Sequence, residues 1–460
     1  MRRNLRKTWT VIGIAFLVLS LALARIQLLQ RETLARHHFN RYTMAKEAAV
    51  QRGEIFDRHG QPLAVWQGEG QRHYPLGAAG SHPVGYYSRT LGAAGVEHWF
   101  AGTLLGQEGS LRFKNAWQRL AGRKGQGYSI QLTIDAGLQE LAYRLLQGRR
   151  GALVALDPGT GEILALVSSP GFNPDTVDTD WEVYTQDQNN PLFNRAVAGT
   201  YPPGSTFKLV VAAAALETNP DVKDREFYCP GYIDIEGRRL TCARAHEQLD
   251  LTEAIAYSCN VVFAQLGLEL GEEILRDKAR VLGFEQPLLE PVPVKPSSLG
   301  ASPMSANGLA EAAIGQGQVL VTPLQMALLT GAIANDGVLV SPSLLKGKAA
   351  GGQEFSNIRA LPGEVRVMNR EAAAYLQQAM VGTVSFGTGW QAQLSGIEVA
   401  GKTGSAENPH GQAHAWFVGF APAGQPRIAV AVVVENAGSG GGNGGPIVKE
   451  LINYFLTRGQ

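Results

Sequence analysis

The chain has 460 residues, 45% of them hydrophobic and 18% charged, which excludes a disordered chain and is typical of a globular protein with two or three domains. Its formal net charge of +1 produces no long-range field of one sign, so nucleic acid is not expected as a partner. Only three cysteines occur, and because none forms a C-x-x-C pair they give no support to a zinc ribbon or a thioredoxin-type motif.

The N-terminus carries an apolar segment long enough to cross a bilayer. Four basic residues lie within residues 2–7, and they precede a nearly uncharged run of about 20 residues that ends at Leu29. We expect residues 1–29 to form a cytoplasmic tip and a single-pass transmembrane anchor, because basic residues favour the cytoplasmic side. A cleaved signal peptide is the alternative, since Ala22-Leu23-Ala24 resembles a cleavage site. Both interpretations export the rest of the chain from the cytoplasm.

A small module and a larger domain are predicted after the anchor. Residues 30–125 lack long periodic helices, so we expect a β-rich, non-catalytic N-terminal module there. The composition then changes. Residues 128–134 alternate as a strand, and Asp135 is placed to cap a helix that runs to Leu146. The second domain is expected to span residues 126–460.

The remaining pattern predicts an α+β fold for this second domain. Two apolar runs around an Asp-Pro-Gly-Thr-Gly turn predict a hairpin over residues 151–167. Apolar residues at helical spacing predict helices over Ser205–Glu217, Leu251–Leu268, Glu272–Val281 and Pro323–Ala334. Later segments predict strands over Ile397–Lys402, Ala415–Phe420 and Ile428–Glu435, a glycine-rich loop over 438–445 and a helix over 446–456. Strands at both ends with helices between them predict one central antiparallel sheet covered by helices.

The first candidate for chemistry is Ser205-Thr206-Phe207-Lys208, which follows a Pro-Pro-Gly breaker and opens an apolar helix. At i and i+3 the serine and the lysine share one helical face, so the amine can take the proton of the hydroxyl. The helix start also supplies free backbone N–H groups for a developing oxyanion. Such a pattern arises about once by chance in a chain of this length. Ser343-Leu344-Leu345-Lys346 is a second copy, which follows a predicted strand and is interpreted as a decoy.

The second candidate is Ser258-Cys259-Asn260, late in a predicted helix or at its turn. Its hydroxyl can relay a proton between a lysine and a leaving amine, and its amide can hold a substrate backbone. Ser305-Ala306-Asn307 is another copy of the pattern, which we interpret as turn chemistry beside Gly308.

The third candidate is Lys402-Thr403-Gly404, which is predicted at the end of a strand. A strand there can pair with an extended peptide, while Lys402 and Thr403 hold a carboxylate and Gly404 allows a close backbone approach. The N–H of Ser405 can then join that of Ser205 as the second oxyanion donor.

In this order the three motifs resemble the signature of the penicilloyl-serine transferase family, S-x-x-K, S-x-N and K-[ST]-G. Further matches lie across most of the exported chain. Residues 52–58 and 95–97 are similar to the non-catalytic module of class B penicillin-binding proteins, and residues 157–161, 315–317 and 414–417 are similar to landmarks of their catalytic domain. The chain therefore resembles a monofunctional class B enzyme, in a short form with a small N-terminal module.

This resemblance implies a peptidoglycan D,D-transpeptidase whose catalytic domain has the β-lactamase-like fold. It implies that Ser205 is acylated by the penultimate D-alanine of a stem peptide and that Lys208 acts as the base. The other motif residues are expected to shuttle protons or to bind substrate; these are Ser258, Asn260, Lys402, Thr403, Gly404 and Ser405.

The resemblance also implies that an amine of a neighbouring stem peptide resolves the acyl-enzyme, and that β-lactams are trapped as slow acyl-enzymes. It implies no metal and no organic cofactor. The segment between anchor and catalytic domain has no room for a glycosyltransferase domain, so a membrane glycosyltransferase partner is expected.

Several alternatives remain open from the sequence. A D,D-carboxypeptidase or a β-lactamase uses the same acyl-enzyme, and a non-catalytic penicillin sensor is a further possibility. Cys229 and Cys242 could form a disulfide in an oxidising compartment. Cys259 is interpreted as a small buried residue inside a helix, and His246 as a surface or hydrogen-bonded histidine and not a metal ligand. Trp416 and Phe417 are expected in the core.

Overall fold

The computed structural model describes most of the chain, and helices and strands are numbered below in chain order. The described residues are 2–29, 50–68, 70–358, 363–409 and 411–458. Residues 30–49, with which the expected N-terminal module begins, lie outside them, so that part of the expectation stays untested.

A long apolar helix stands at the N-terminus. Helix α1 spans Arg2–Leu29. Its segment Lys7–Gln27 has 21 residues and a mean hydropathy of 2.1, and none of it is buried by the rest of the protein. By length and composition this segment is a candidate membrane span, which agrees with the expected anchor and equally fits a signal segment.

Short strands and helices make up the region that begins at residue 50. Its strands are β1 (Val50–Gln51), β2 (Ile55–Phe56), β3 (Pro62–Gln67), β4 (Gln71–His73), β5 (Tyr87–Ser88), β6 (Gly92–Ala93) and β7 (Gly125–Gln126). Its helices are α2 (Gly95–Trp99), α3 (Ala101–Leu104) and α4 (Gly109–Leu120). The buried carboxylate of Glu97 accepts hydrogen bonds from Arg52 and Arg72 and so ties α2 to the strands. Burial raises the pKa of Glu97, but the two guanidinium groups outweigh it and lower the pKa overall.

One sheet joins this region to the rest of the chain. Strands β8 (Tyr128–Leu132), β16 (Leu345–Ala350) and β17 (Ser356–Asn357) complete a sheet of order β17-β16-β8-β2-β3-β4. Within it β2 runs parallel to β8, with Ile55 opposite Ile130. Strands from both sides of residue 125 therefore share one sheet, and the domain boundary at 125/126 stays a prediction.

The larger part of the chain mixes helices and strands. The helices are α5 (Ala136–Leu146), α6 (Val177–Gln186), α7 (Arg195–Ala198), α8 (Lys208–Thr218), α9 (Leu251–Ala256), α10 (Asn260–Val281), α11 (Ala306–Ala313), α12 (Pro323–Ala334), α13 (Arg370–Ser385) and α14 (Gly440–Arg458). The strands are β9 (Gly151–Leu156), β10 (Ile163–Ser169), β11 (Phe227–Cys229), β12 (Tyr232–Ile235), β13 (Arg238–Thr241), β14 (Glu247–Leu249), β15 (Val338–Val340), β18 (Glu364–Arg366), β19 (Ala400–Ala406), β20 (His414–Ala421) and β21 (Ile428–Val434).

A five-stranded antiparallel sheet forms the centre of this part. Its order is β10-β9-β21-β20-β19, so strands from the start and the end of the domain lie side by side. The expected α+β architecture is confirmed. One edge of the sheet is β10 and the other is β19, which leaves one side of β19 without a strand partner in this sheet.

Helices cover both faces of the central sheet. Successive residues of a strand point to opposite faces. Along β9, Val154 packs into the core that contains α8 and α12, whereas Leu153 packs into the core that contains α5 and α14. Burial of each such Val or Leu contributes about 1.5–3 kcal/mol relative to an exposed side chain, so the strands that carry the site are rigidly held.

The helix boundaries depart from the expectation at residue 258. The single helix predicted over Leu251–Leu268 is wrong, because α9 ends at Ala256 and α10 begins at Asn260. Ser258 lies between them with φ +60, a backbone conformation that does not continue a right-handed helix. Cys259 is consequently not inside a helix, although it is buried as expected.

The C-terminal segment departs from the expectation at its glycines. Residues 440–445 were expected in a loop, but they form the first turns of α14. A Cβ at Gly440 would lie 2.1 Å from the carbonyl oxygen of Trp416, and one at Gly444 would lie 2.6 Å from the Cβ of Phe417. The glycines therefore let the helix lie directly on β20, and this packing outweighs their low helix propensity.

Candidate active site

The backbone at Gly204, just before Ser205, packs closely between the segments that contain Gly315 and Ser405. Residues Gly204–Phe207 form a 3₁₀ turn that leads into α8. Gly204 has φ +54 and donates its N–H to the carbonyl of Gly315 at 2.9 Å. A Cβ at Gly204 would lie 2.7 Å from the carbonyl oxygen of Ser405, which leaves room for glycine alone. This turn fixes the position of Ser205, which is half-buried and faces a cleft.

Lys208 is the first residue of α8 and is fully buried. Its Nζ donates to the carbonyl oxygen of Ser258 at 2.8 Å and to Oδ1 of Asn260 at 2.7 Å. Burial disfavours the charged amine and lowers the pKa of Lys208 to about 8, although the thiols of Cys259 and Cys242 act in the opposite direction. A lysine whose pKa lies this close to neutral pH is partly uncharged, and its neutral amine can accept a proton.

The expected hydrogen bond between Ser205 and Lys208 is absent. Among the described residues, the hydrogen bonds of Lys208 Nζ go to Ser258 and Asn260, and none goes to Ser205 Oγ. The two residues nevertheless belong to one turn of chain, and hydrogen bonds between catalytic groups often tighten only when substrate is bound.

Ser258 lies between two lysine side chains. Its Oγ accepts a hydrogen bond from Lys402 Nζ at 2.9 Å and lies 3.3 Å from Lys208 Nζ. The left-handed backbone of Ser258 is uncommon for a residue other than glycine and is found mostly where a site requires it. Asn260 is held in turn, because its Nδ2 donates to the carbonyl oxygen of Thr241 at 2.8 Å.

Lys402 stands in the middle of β19 and not at a strand end, which corrects the expectation. The side chain is fully buried, and its Nζ also donates to the carbonyl oxygen of Thr403 at 3.0 Å. Burial, and secondly the charge of Lys208, hold the pKa of Lys402 well below its usual value. The hydroxyl of Thr403 is 2.6 Å from that of Thr388.

Gly404 and Ser405 continue β19 towards the turn of Ser205. A Cβ at Gly404 would lie 2.8 Å from the carbonyl oxygen of Pro203, so glycine permits this approach. The carbonyl oxygen of Ser405 faces Gly204 and accepts a weak hydrogen bond from Gln316 Nε2 at 3.4 Å. This edge of β19 therefore turns its polar backbone groups away from β20 and towards the cleft.

The residues of the three motifs lie in or next to one cleft of about 520 Å³. Five of the eight predicted site residues line it: Ser205, Ser258, Asn260, Thr403 and Ser405. The other three are fully buried or nearly so behind the lining: Lys208, Lys402 and Gly404. The structure thus brings all eight predicted residues to one place.

Several residues that line the cleft were not predicted as site residues, among them Thr388 and Asn307. Thr388 contacts Thr403, and the only local signal was the short Gly-Thr-Gly run of residues 387–389. Asn307 lines the cleft although its motif was interpreted as turn chemistry. Ser305 does cap α11, since its Oγ accepts the N–H of Gly308 at 3.1 Å.

The remaining side-chain expectations have mixed outcomes. Trp416 and Phe417 are fully buried, which confirms them as core residues. Cys229 and Cys242 are free thiols with their Sγ atoms 3.7 Å apart. His246 is half-buried and hydrogen-bonded, since its Nδ1 lies 3.5 Å from Cys229 Sγ.

Comparison with known proteins identifies close similarity over the whole chain. Residues 151–453 match the model of the penicillin-binding protein transpeptidase domain, and residues 52–130 match the model of the penicillin-binding protein A dimerisation domain. The peptidoglycan D,D-transpeptidase PbpA of Mycolicibacterium smegmatis is 32% identical over 499 residues, with 100% of both chains covered.

Solved structures give the same result. A ceftriaxone acyl-enzyme complex of penicillin-binding protein A from M. tuberculosis has a TM-score of 0.82 and 31% identity, covering 89% of this chain and 99% of that one. The penicillin G acyl-enzyme complex of the same protein has a TM-score of 0.80 and 32% identity, covering 88% of this chain and 100% of that one.

Proposed function

This chain belongs to the penicillin-binding protein transpeptidase family and is a serine-type peptidoglycan D,D-transpeptidase that binds β-lactams, and on this premise we propose that Ser205 is its nucleophile and Lys208 its base. The observation that carries the proposal is the position of Ser258 Oγ, within 3.3 Å of Lys208 Nζ and 2.9 Å of Lys402 Nζ beside the same cleft as Ser205. A proton taken from Ser205 has a short route through this group of side chains.

In the acylation step Lys208 accepts the proton of Ser205 as Oγ attacks the carbonyl carbon of the penultimate D-alanine. An ester forms with Oγ, and the amide bond to the terminal D-alanine breaks. Ser258 passes the proton to the leaving nitrogen, because its hydroxyl can accept from one lysine while it donates to the substrate. The terminal D-alanine then leaves as a free amino acid.

The oxyanion of this step is stabilised by the backbone N–H groups of Ser205 and Ser405. In an antiparallel strand the N–H and C=O of one residue point to the same side. The carbonyl oxygen of Ser405 faces Gly204, which supports an N–H of Ser405 on the cleft side of β19. Asn260 and Thr403 line the same cleft and hold the substrate backbone and its carboxylate, and Gly404 lets β19 lie against the turn of Ser205.

In the second step an amine of a neighbouring stem peptide attacks the ester carbonyl. A new peptide bond forms, the ester bond breaks, and Oγ recovers a proton from the attacking amine through the same side chains. The reaction needs no redox partner, since it exchanges one amide bond for another.

The N-terminal segment supports a membrane location for the enzyme. Helix α1 anchors the chain as a single pass in the cytoplasmic membrane, with the catalytic domain outside, because basic residues within 2–7 precede the candidate span. A separate membrane glycosyltransferase supplies the glycan strands, since the segment between anchor and catalytic domain is too short for such a domain.

The assignment is tested by incubating the full-length protein with a fluorescent penicillin and mapping the adduct by mass spectrometry. Ser205→Ala is expected to abolish labelling, whereas Ser343→Ala leaves it intact as the matched control in the second S-x-x-K copy. A stable adduct at Ser343 contradicts the proposal, as does labelling that persists in Ser205→Ala. With donor and acceptor peptides together, cross-linked product should exceed hydrolysed product.

A further inference from the structure

Three thiols and one imidazole converge beside the active site. We call Cys229, Cys242, His246 and Cys259 the thiol cluster. Their Sγ and Nδ1/Nε2 ligand atoms all lie within 4.8 Å of one another. Two members are buried and two are half-buried, so the cluster is shielded without being sealed from solvent.

The spacing of the ligand atoms matches a tetrahedral metal site. Zinc–sulfur bonds of about 2.3 Å and zinc–nitrogen bonds of about 2.0–2.1 Å require sulfurs about 3.8 Å apart and a sulfur–nitrogen separation of about 3.5 Å. The Sγ atom of Cys242 is 3.7 Å from that of Cys229 and 3.7 Å from that of Cys259. Cys229 Sγ is 3.5 Å from His246 Nδ1. Three edges of the expected tetrahedron are therefore present before any ion is bound.

The backbone around the cluster holds the ligands in this arrangement. The N–H of Cys242 donates to the carbonyl of Gly231 at 2.8 Å, and the N–H of His246 donates to the carbonyl of Cys229 at 3.1 Å. The first bond closes the hairpin of β12 and β13, and the second lies where the paired strands β11 and β14 meet. The ring of His246 stacks on that of Tyr257 with an interplanar angle of 12°.

The sulfur of Cys242 also accepts backbone hydrogen bonds. The N–H groups of Asn260 and Val261 donate to Cys242 Sγ at 3.0 and 3.4 Å. They belong to the first turn of α10, whose dipole favours negative charge at this end. Such N–H groups orient a metal-bound thiolate and stabilise its charge, as partners of metal ligands commonly do.

We propose that the thiol cluster binds one Zn²⁺ ion through Sγ of Cys229, Cys242 and Cys259 and Nδ1 of His246. Soft thiolates favour zinc over Mg²⁺ and Ca²⁺, which prefer oxygen ligands. Each thiol that coordinates releases its proton to solvent. Four protein ligands close the coordination sphere, so the site is structural and has no open position for a substrate.

The consequence for the enzyme lies in Cys259, which is the middle residue of Ser258-Cys259-Asn260. The ion ties this strained turn to Cys229 and Cys242, and so holds Ser258 Oγ between the two lysines. This positioning effect rests on the proposed function, but metal binding itself does not. A Ser205→Ala variant is therefore expected to bind zinc as the unmodified protein does, although it no longer reacts with penicillin.

A disulfide between Cys229 and Cys242 is the competing state, because the exported chain would lie in an oxidising compartment. It would leave Cys259 and His246 without a shared partner. The two states differ in mass and in the number of free thiols, so one experiment separates them.

The test is metal analysis of full-length protein purified in detergent without added zinc or chelator. We expect about one zinc per chain, three free thiols after unfolding, and intense sulfur-to-cobalt charge-transfer bands after exchange with Co²⁺. Chelation should lower both the melting temperature and the rate of penicillin acylation, and zinc should restore both. Protein without bound metal that takes up neither Zn²⁺ nor Co²⁺ overturns the proposal. A Cys229–Cys242 disulfide in mass spectra also overturns it.

A pair of variants tests the ligand set. His246→Phe keeps an aromatic ring beside Tyr257 and removes the Nδ1 ligand, and it is expected to lower zinc affinity at least tenfold. His59→Phe is the matched control at an exposed histidine outside the cluster, and it is expected to retain zinc. Equal zinc affinity in both variants overturns the assignment of His246. The cobalt spectrum of the unmodified protein needs no variant, so the proposal remains testable if His246→Phe does not fold.

Discussion

Two copies of the same four-residue pattern occur in the molecule, and they have different structures. Ser205 and Lys208 lie on a turn that continues into α8, and Lys208 Nζ contacts Ser258 and Asn260. Ser343 Oγ instead donates to the carbonyl oxygen of Leu345. Lys346 lies on β16 and donates to the carbonyl oxygen of Arg58 at 3.0 Å.

The difference shows that the spacing of residues has chemical meaning only on a particular backbone. On a helix, residues i and i+3 share a face, whereas on an extended chain they point to opposite sides. The side chains of Ser343 and Lys346 therefore donate their hydrogen bonds to backbone carbonyls and not to each other. The second copy is confirmed as structurally distinct from the first, and the following experiments test whether it is also functionally silent.

The largest expected effect comes from removal of Lys208, with Lys346 as the comparison. Lys208→Ala should lower the rate of penicillin acylation by about 10²–10⁴-fold, because the serine loses its base. Lys208→Arg should not restore the rate, since a guanidinium stays protonated. Lys346→Ala is the matched control and should acylate at the normal rate. Stopped-flow measurement with a fluorescent penicillin checks this, and similar losses in both alanine variants would remove the distinction between the copies.

Substitution of one glycine beside each copy distinguishes an effect on stability from an effect on acylation. Gly204 precedes Ser205, and the carbonyl oxygen of Gly161 accepts the N–H of Ser343 at 2.9 Å. The two glycines have φ +54 and +70, and a Cβ on either would lie within 2.7 Å of a backbone oxygen. Gly204→Ala and Gly161→Ala should each destabilise the protein by about 1–3 kcal/mol in chemical denaturation. Only Gly204→Ala should also slow acylation of the folded protein, by about 10²-fold, because it displaces Ser205. If both variants acylate at the normal rate, the close packing of Gly204 against Gly315 and Ser405 is not required for acylation.

The pH dependence tests the base directly. Burial lowers the pKa of Lys208 to about 8, so the neutral amine becomes more abundant as the pH rises towards that value. The acylation rate should therefore increase with pH, by about 50-fold between about pH 6 and about pH 8, and then level off. The Lys346→Ala variant should give the same profile. A flat profile over this range would mean that Lys208 is not the base.

The smallest effect is expected when Lys346, in the second copy of the pattern, is replaced, and it concerns stability and not acylation. Lys346→Met keeps much of the side-chain volume and removes the hydrogen bond to Arg58. The free energy of unfolding should fall by about 1 kcal/mol with no change in acylation. Urea denaturation measures the first and penicillin labelling the second. A stability loss several times larger would show that β16 depends on this contact more than its geometry indicates.

Much of the fold could be predicted because its signals are local. Helix α5 is capped by Asp135, whose side chain accepts the N–H of Leu138 at 2.9 Å, and α12 is bounded as its apolar spacing predicted. The central hairpin and strands β20 and β21 follow largely continuous apolar runs, which arise because helices bury both faces of the sheet. Three predictions failed: the continuous helix over 251–268, the position of β19, and the loop at glycines 440–445, which instead admit close packing against β20.

The site itself was predicted as eight residues in three motifs, but its internal contacts were not. The sequence left open whether Ser258 lies in a helix or at its turn, and it did not predict that the Ser258 hydroxyl would lie between two lysines. The turn is held from outside, because Lys208 Nζ, 50 or more residues earlier in the chain, donates to the carbonyl oxygen of Ser258 and to Oδ1 of Asn260. Local helix propensity at residues 251–268 favoured a continuous helix and was overridden.

The amino-acid sequence by itself determined the apolar N-terminal segment, the order of the three motifs and the α+β class, since each depends on residues within a few turns of one another. Tertiary structure alone decided that Ser258 Oγ lies between two lysines, where β19 begins, and that three cysteines and His246 meet at one point. These features arise from burial and strand pairing between distant segments, whose free energy is shared across the whole core and leaves no local pattern in the chain.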